Sequence, residues 1–170
     1  MSDVLDRYID PSYVYRFSQG PDVVQTPEDA LRQGINCISL AHLALRDIFD
    51  YQLPSELQCS EMYLDTHTFS KVDSIEDMRR GDLVWFGVDK ASIEPEEFIP
   101  VYNDGLLTNW AEFPVKHATV HTGNVDRDGN PLLLHSTHVE GTNTIWPLPK
   151  FAEYQKYRKL YGITRLVLDH

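Results

Sequence analysis

Asn36-Cys37-Ile38-Ser39-Leu40-Ala41-His42-Leu43-Ala44-Leu45-Arg46-Asp47-Ile48-Phe49 is the stretch on which the reading of this chain turns. Ile38, Ala41, Leu45, Ile48 and Phe49 recur at helical spacing, and Leu40, Leu43 and Ala44 make the rest of the surface apolar too. A helix apolar nearly all round belongs inside a core. Asn36 is placed to cap it, so Cys37 opens its first turn. Upstream, Thr26-Pro27-Glu28-Asp29 predicts a shorter helix. Thr26 is its N-cap, Pro27 fits the first helical position, two acids suit the positive end of the helix dipole, and Gly34 ends it. Before that, Tyr8, Tyr13, Tyr15 and Phe17 precede a turn at Gly20-Pro21-Asp22. Downstream, Pro54-Ser55-Glu56-Leu57-Gln58 predicts the opening of a third helix, with Ser55 and Gln58 at capping-box spacing.

From residue 79 the pattern changes to strands. Asp82-Leu83-Val84-Trp85-Phe86 reads as a buried strand behind a glycine turn. Residues 117–123 and 132–137 read as an antiparallel pair joined by Asp126-Arg127-Asp128-Gly129-Asn130, a turn-rich connection. Residues 143–146 add a short strand. Residues 149–161 predict a helix with Phe151, Tyr154 and Tyr161 on one side, and 162–168 a last strand. Residues 88–115 hold Pro95, Pro100 and Pro114 and an acidic run at Glu94, Glu96 and Glu97. They read as an insertion that covers or shapes a site, or as a surface elaboration. Helices first and strands afterwards predict an α+β fold, in one domain over residues 1–170. There is no internal repeat, no low-complexity tract and no phosphate-binding glycine loop.

The chain has 170 residues, 42% hydrophobic and 24% charged, an ordinary globular balance. It is long enough to bury about two-thirds of the surface of its unfolded chain. The net charge of -11 argues against nucleic acid and anionic membranes, both of which favour a basic face. No stretch is long enough to span a bilayer. The first residues lack the basic start and apolar run of a signal peptide, so the expectation is a cytoplasmic location, with export by a specialised route left open. The two cysteines, Cys37 and Cys59, make no disulfide framework. Free thiols fit that location better than a Cys37–Cys59 bridge.

Cys37 gains twice from a helix start. Unpaired N–H groups and a partial positive charge stabilise a thiolate, and the same N–H groups can hold an oxyanion. The plainer reading is a small buried apolar residue. His117 opens a strand of small and apolar residues, and a general base must reach the thiol and be held in one tautomer. His135, entering from a run of leucines, can hold it, since two histidines of an antiparallel pair can lie side by side on one face. Two satisfied core histidines are the competing reading. His117 and His121 share a face, and with Cys37 and His135 the group also suggests a zinc site, although no metal-ligand spacing accompanies it. Cys59 reads as core, and His42 faces away from Cys37 on the helix. The basic residues near the C-terminus read as a solvated face.

The order of these blocks resembles the NlpC/p60 superfamily of papain-like cysteine peptidases and amidases, over roughly residues 25–140. Asn36-Cys37-Ile38-Ser39-Leu40 looks like the family's Asp-Cys-Ser-Gly-Leu block. Arg80-Gly81-Asp82-Leu83-Val84-Trp85-Phe86 looks like its Pro-Gly-Asp-Leu-Val-Phe-Phe strand. His117-Ala118-Thr119-Val120-His121-Thr122-Gly123 has the spacing of its His-Val-Gly-Ile-Tyr-x-Gly strand, and Leu134-His135-Ser136 looks like its Ile-His-Ala. The resemblance implies a papain-like α+β fold, with a Cys-bearing helix packed on an antiparallel sheet. It implies Cys37 as nucleophile, His117 as base and His135 as the polar third member. Tyr15 is the nearest counterpart of the family's upstream Tyr and, with Asn36 and Ser39, is assigned to substrate binding. No metal or organic cofactor is implied. The substrate class is a peptide amide, with the short stem peptides of bacterial cell wall as the family's example. Deamidation and acyl transfer run through the same thioacyl intermediate, and a catalytically inactive module that binds a peptide or protein is the alternative. The chain departs from the family at Asn36, where the family has Asp, at Ser39, where it has Gly, and in the long connection between Asp82 and His117.

Overall fold

The computed structural model describes residues 3–168. Three α-helices pack on a six-stranded antiparallel sheet, which is the α+β arrangement expected. The helices are α1 (Pro27–Gln33), α2 (Cys37–Phe49) and α3 (Cys59–Leu64). The strands are β1 (Phe69–Val72), β2 (Leu83–Gly87), β5 (Val115–Val125), β6 (Pro131–Thr137), β7 (Thr142–Pro147) and β8 (Lys159–Leu166), in the order β1-β8-β2-β5-β6-β7. The strands β3 (Tyr102–Asn103) and β4 (Leu106–Leu107) form a separate hairpin inside the insertion. Its turn, Asp104-Gly105, has φ values of 52° and 77°, the double positive φ that suits a right-twisted hairpin. Among the described residues no helix is long and apolar enough to cross a membrane.

Alternation along the strands gives the sheet two buried faces. Leu83, Trp85, Ala118, Val120 and Leu134 join α2 in the larger core. Val84, Phe86, Leu133, Trp146 and Ile163 point the other way, into a second cluster closed by Phe151 and Tyr157. Both faces being covered explains why β2 reads as an uninterrupted apolar run. At its start Gly81 has φ 90°, and a Cβ there would lie 2.4 Å from the Phe49 ring. The close approach of α2's last turn to β2 therefore depends on the absent side chain.

Three local expectations change. The third helix begins at Cys59, because residues 54–57 form a turn and Gln58 spends its side chain on Asp22 instead of on a capping box with Ser55. Residues 149–161 are not one helix. They form two 3-10 segments, Leu148–Glu153 and Gln155–Tyr157, and then enter β8. Pro147 and Pro149 start the first segment, and Tyr154, extended at φ -119°, breaks the run so that Phe151 and Tyr157 both turn into the second cluster. The edge strand β1, too short and polar to stand out, is an addition to the expected set.

Candidate active site

The segment before Cys37 is placed by a glycine. Gly34 leaves α1 at φ 99°, where a Cβ would strike Arg16. The chain then runs beside residues 14–16: Ile35 N–H donates to the Val14 carbonyl at 3.0 Å and Arg16 N–H to the Ile35 carbonyl at 2.9 Å. Asn36 caps α2, its Oδ1 accepting from the Ser39 N–H at 2.9 Å, while Ser39 Oγ accepts from the Asn36 N–H at 3.0 Å. Asn36 Nδ2 also donates to the Phe17 carbonyl, and Ser39 Oγ to that of Gln19, at 3.0 and 2.8 Å. The two residues given to substrate binding from sequence thus have their polar atoms engaged in the cap, and Ser39 is fully buried. Their contribution is to fix the helix start and the residue 14–19 loop around it.

Cys37 is wedged where two strands part. The β5–β6 ladder runs from the hairpin turn only as far as Val120↔Leu134. Beyond that pair β6 continues with β7 and β5 with β2. The freed Ala118 N–H faces the Cys37 sulfur, as do the N–H groups of Cys37 and Ile38. On the β6 side Ser136 Oγ donates to the Ile35 carbonyl at 3.4 Å. The residue is half-buried, and desolvation pushes the thiol up to about 11; the three N–H groups oppose this without overcoming it. The helix start alone predicts a lowered thiol pKa. Desolvation decides the direction here.

His117, one residue before Ala118, leaves β5 on the face opposite α2, level with Phe86. Its Nε2 lies 2.7 Å from His135 Nδ1, so the structure brings the two predicted histidines into a direct hydrogen bond. Tyr157 stacks on the His117 ring at 4.2 Å and 24°. Trp146 and Phe151 pack on His135 at 4.4 and 4.8 Å. Burial pushes the His117 imidazole down to about 3, helped by nearby His138, and holds His135 well below its ordinary range, with His117 and Lys150 adding to the effect. Nδ1 of His117 is the ring nitrogen left without a bond to His135, and among the described residues no hydrogen bond joins His117 to Cys37. His135 Nε2 is buried with no hydrogen-bond partner.

Tyr15 is brought alongside the segment that leads into Cys37 despite its distance in sequence. It pairs with Ile35 in an isolated parallel bridge, and its N–H donates to the Gly141 carbonyl at 2.9 Å. Burial raises its phenol to about 12, and the charge a Cys37 thiolate would carry adds to this. His138, exposed, lies 6.2 Å ring to ring from Tyr15, and its Nδ1 is 3.1 Å from Tyr157 Oη, which also meets Thr137 Oγ1 at 2.7 Å. Tyr157, Phe151 and Trp146 are the wall residues that sequence reasoning missed. Their only signal was aromatic richness, because their placement depends on the 3-10 segments after β7. Asp82 is a structural anchor, taking two bonds of 2.8 Å from the Arg165 guanidinium. His42 Nε2 is held by the Leu57 carbonyl at 2.8 Å, and Cys59 Sγ by that of Val115 at 3.4 Å. Among the described residues no three His, Cys, Asp or Glu side chains gather as metal ligands. Open surface grooves lie at residues 71–79 with Arg165 and at residues 52–55 with Gln25, Thr26 and Arg46, and neither is lined by Cys37, His117 or His135.

No protein-family model matches this chain, and no curated protein matches it.

Proposed function

We propose that this chain is a papain-like cysteine amide hydrolase, a divergent relative of the NlpC/p60 enzymes, working in the cytoplasm on a peptide amide of the cell-wall type. The observation that carries the reading is the wedge between β5 and β6. There the Cys37 sulfur faces the N–H of Ala118, and Tyr157, whose buried phenol feels a Cys37 charge, stacks on the His117 ring that His135 holds at 2.7 Å. Burial favours the neutral form of both thiol and imidazole, so the proton moves during attack and not before it. Nε2–H of His117 donates to His135 Nδ1, leaving a lone pair on His117 Nδ1. That atom takes the thiol proton as sulfur adds to the carbonyl carbon and the carbonyl electron pair moves onto oxygen. N–H groups at the start of α2 stabilise the oxyanion. The carbonyl re-forms, the amine leaves with the proton from His117, and a thioacyl-enzyme remains. Water, giving its proton to His117, adds to the thioester. Collapse releases the acid and restores the thiol.

Two observations favour a second reading, a module of the same fold that binds peptides without cleaving them: the thiol is raised, and among the described residues no hydrogen bond reaches it from His117. Incubation with a γ-glutamyl-diamino-acid peptide separates the two. Release of free amine by the native chain and not by Cys37→Ser is expected. Equal, negligible release from both, with the peptide still bound, would leave the binding module.

A further inference from the structure

The insertion is anchored at both ends and bare in the middle. Phe98 and Phe113 are buried and pack edge to face at 4.9 Å. Between them Ile99 is 77% exposed, Leu106 72%, Tyr102 52% and Trp110 51%. A hairpin of two-residue strands is marginal by itself in water, and apolar side chains this exposed in one contiguous segment mark a surface that meets something.

The arm also meets the loop that borders the candidate site. Phe17, 64% exposed, belongs to the loop whose carbonyl is held by the Asn36 cap, and its ring meets that of Trp110 at 5.2 Å. Trp110 belongs to the 3-10 turn Trp110–Glu112, which Lys116 ties down by donating to the Ala111 carbonyl at 2.7 Å. Lys116 directly precedes His117. The aromatic pair therefore bridges the start of the nucleophile helix and the start of the histidine strand. Residues 88–115 carry six acidic residues against the single Lys90, and among the described residues none of them is in an ion pair.

We propose that this arm, with Phe17, docks a polypeptide that carries Lys or Arg beside a large apolar side chain and leads its amide toward Cys37. The apolar side chain packs on Trp110, Phe17 and Leu106. The basic groups face the unpaired carboxylates, which also speed encounter. The proposal rests on the hydrolase reading for the fate of the bound amide, replaces the cell-wall stem peptide by such a polypeptide as the amide presented to Cys37, and has its docking tested without turnover.

The test uses the full-length Cys37→Ser chain and three fluorescein-labelled twelve-residue peptides, read by polarisation. One holds Lys and Leu/Phe, one replaces Lys by Glu, and one replaces Leu/Phe by Ser. The first should bind about tenfold or more tighter than the others, and weaken as salt rises. Trp110→Ala and Leu106→Ser, both at exposed positions, should each weaken it about tenfold with an unchanged circular dichroism spectrum. Equal binding of the three peptides, or variants that bind as the parent does, overturns the proposal. So does a dimer in sedimentation that Leu106→Ser dissolves, because the arm's occupant is then a second copy. Docking with an inert Cys37 sinks the hydrolase reading alone, whereas a reactive Cys37 without docking sinks only this proposal.

Discussion

Acidification is predicted to unfold this protein through its buried imidazoles. His42, His117 and His135 are all nearly inaccessible. Burial pushes His42 down to about 4, partly offset by its bond to the Leu57 carbonyl, and His117 to about 3, while His135 is held well below its ordinary value. The unfolded chain titrates them near 6.5. Between the folded and unfolded pKa values only the unfolded chain binds the proton, so stability is fully present above about pH 6.5 and falls as pH drops. The slope approaches about 1.4 kcal/mol per pH unit for each ring, or roughly 2 kcal/mol each by pH 5. Three rings together cost about 6 kcal/mol, comparable with the whole stability of many domains. Asp3, lowered chiefly by its bond to Arg80, is ionised in both states over this range and contributes nothing to the change. Urea unfolding at pH 7, 6 and 5, followed by tryptophan fluorescence, measures the effect. A midpoint independent of pH, or one that rises on acidification, would refute the placement of these histidines as buried and neutral.

Two substitutions probe the parts of the site separately. Asn36→Ala removes the cap of α2 and the tether to the Phe17 carbonyl, and is expected to cost about 1–2 kcal/mol in urea unfolding; no change would deny the cap its role. His135→Phe keeps a ring between Trp146 and Phe151 but deletes the nitrogen that meets His117, and should lower kcat/KM for a peptide amide about a hundredfold, with a folded circular dichroism spectrum. Unchanged turnover would remove His135 from the mechanism.

The parts of the fold that follow from local rules were legible beforehand. The apolar helix over 37–49, its Asn36 cap, the Thr26 cap and the strand pair around Asp126–Asn130 need only periodicity and turn chemistry, and the structure has them. The His117–His135 contact was legible too, because alternate residues on neighbouring antiparallel strands share a face. The aromatic wall was not. Phe151 and Tyr157 sit in a segment whose helical spacing competes with Pro147, Pro149 and the pull of the second cluster, and tertiary packing decided against the helix. The state of Cys37 was also out of reach. Helix position argues for a lowered pKa, and the tertiary packing that desolvates the thiol instead carries no local signal. The clasp between Phe17 and Trp110 joins residues 93 positions apart, through two loops that carry no periodic signal.

The central claim is that Cys37 reacts with the help of His117. The direct measurement is the rate of iodoacetamide labelling at pH 7, resolved by peptide mass spectrometry, with Cys59 as the internal reference because burial raises its thiol well above the ordinary value. Cys37 is predicted to label at least about tenfold faster than Cys59, and His117→Ala to remove most of that advantage. Equal rates at the two thiols, unchanged by His117→Ala, would contradict it.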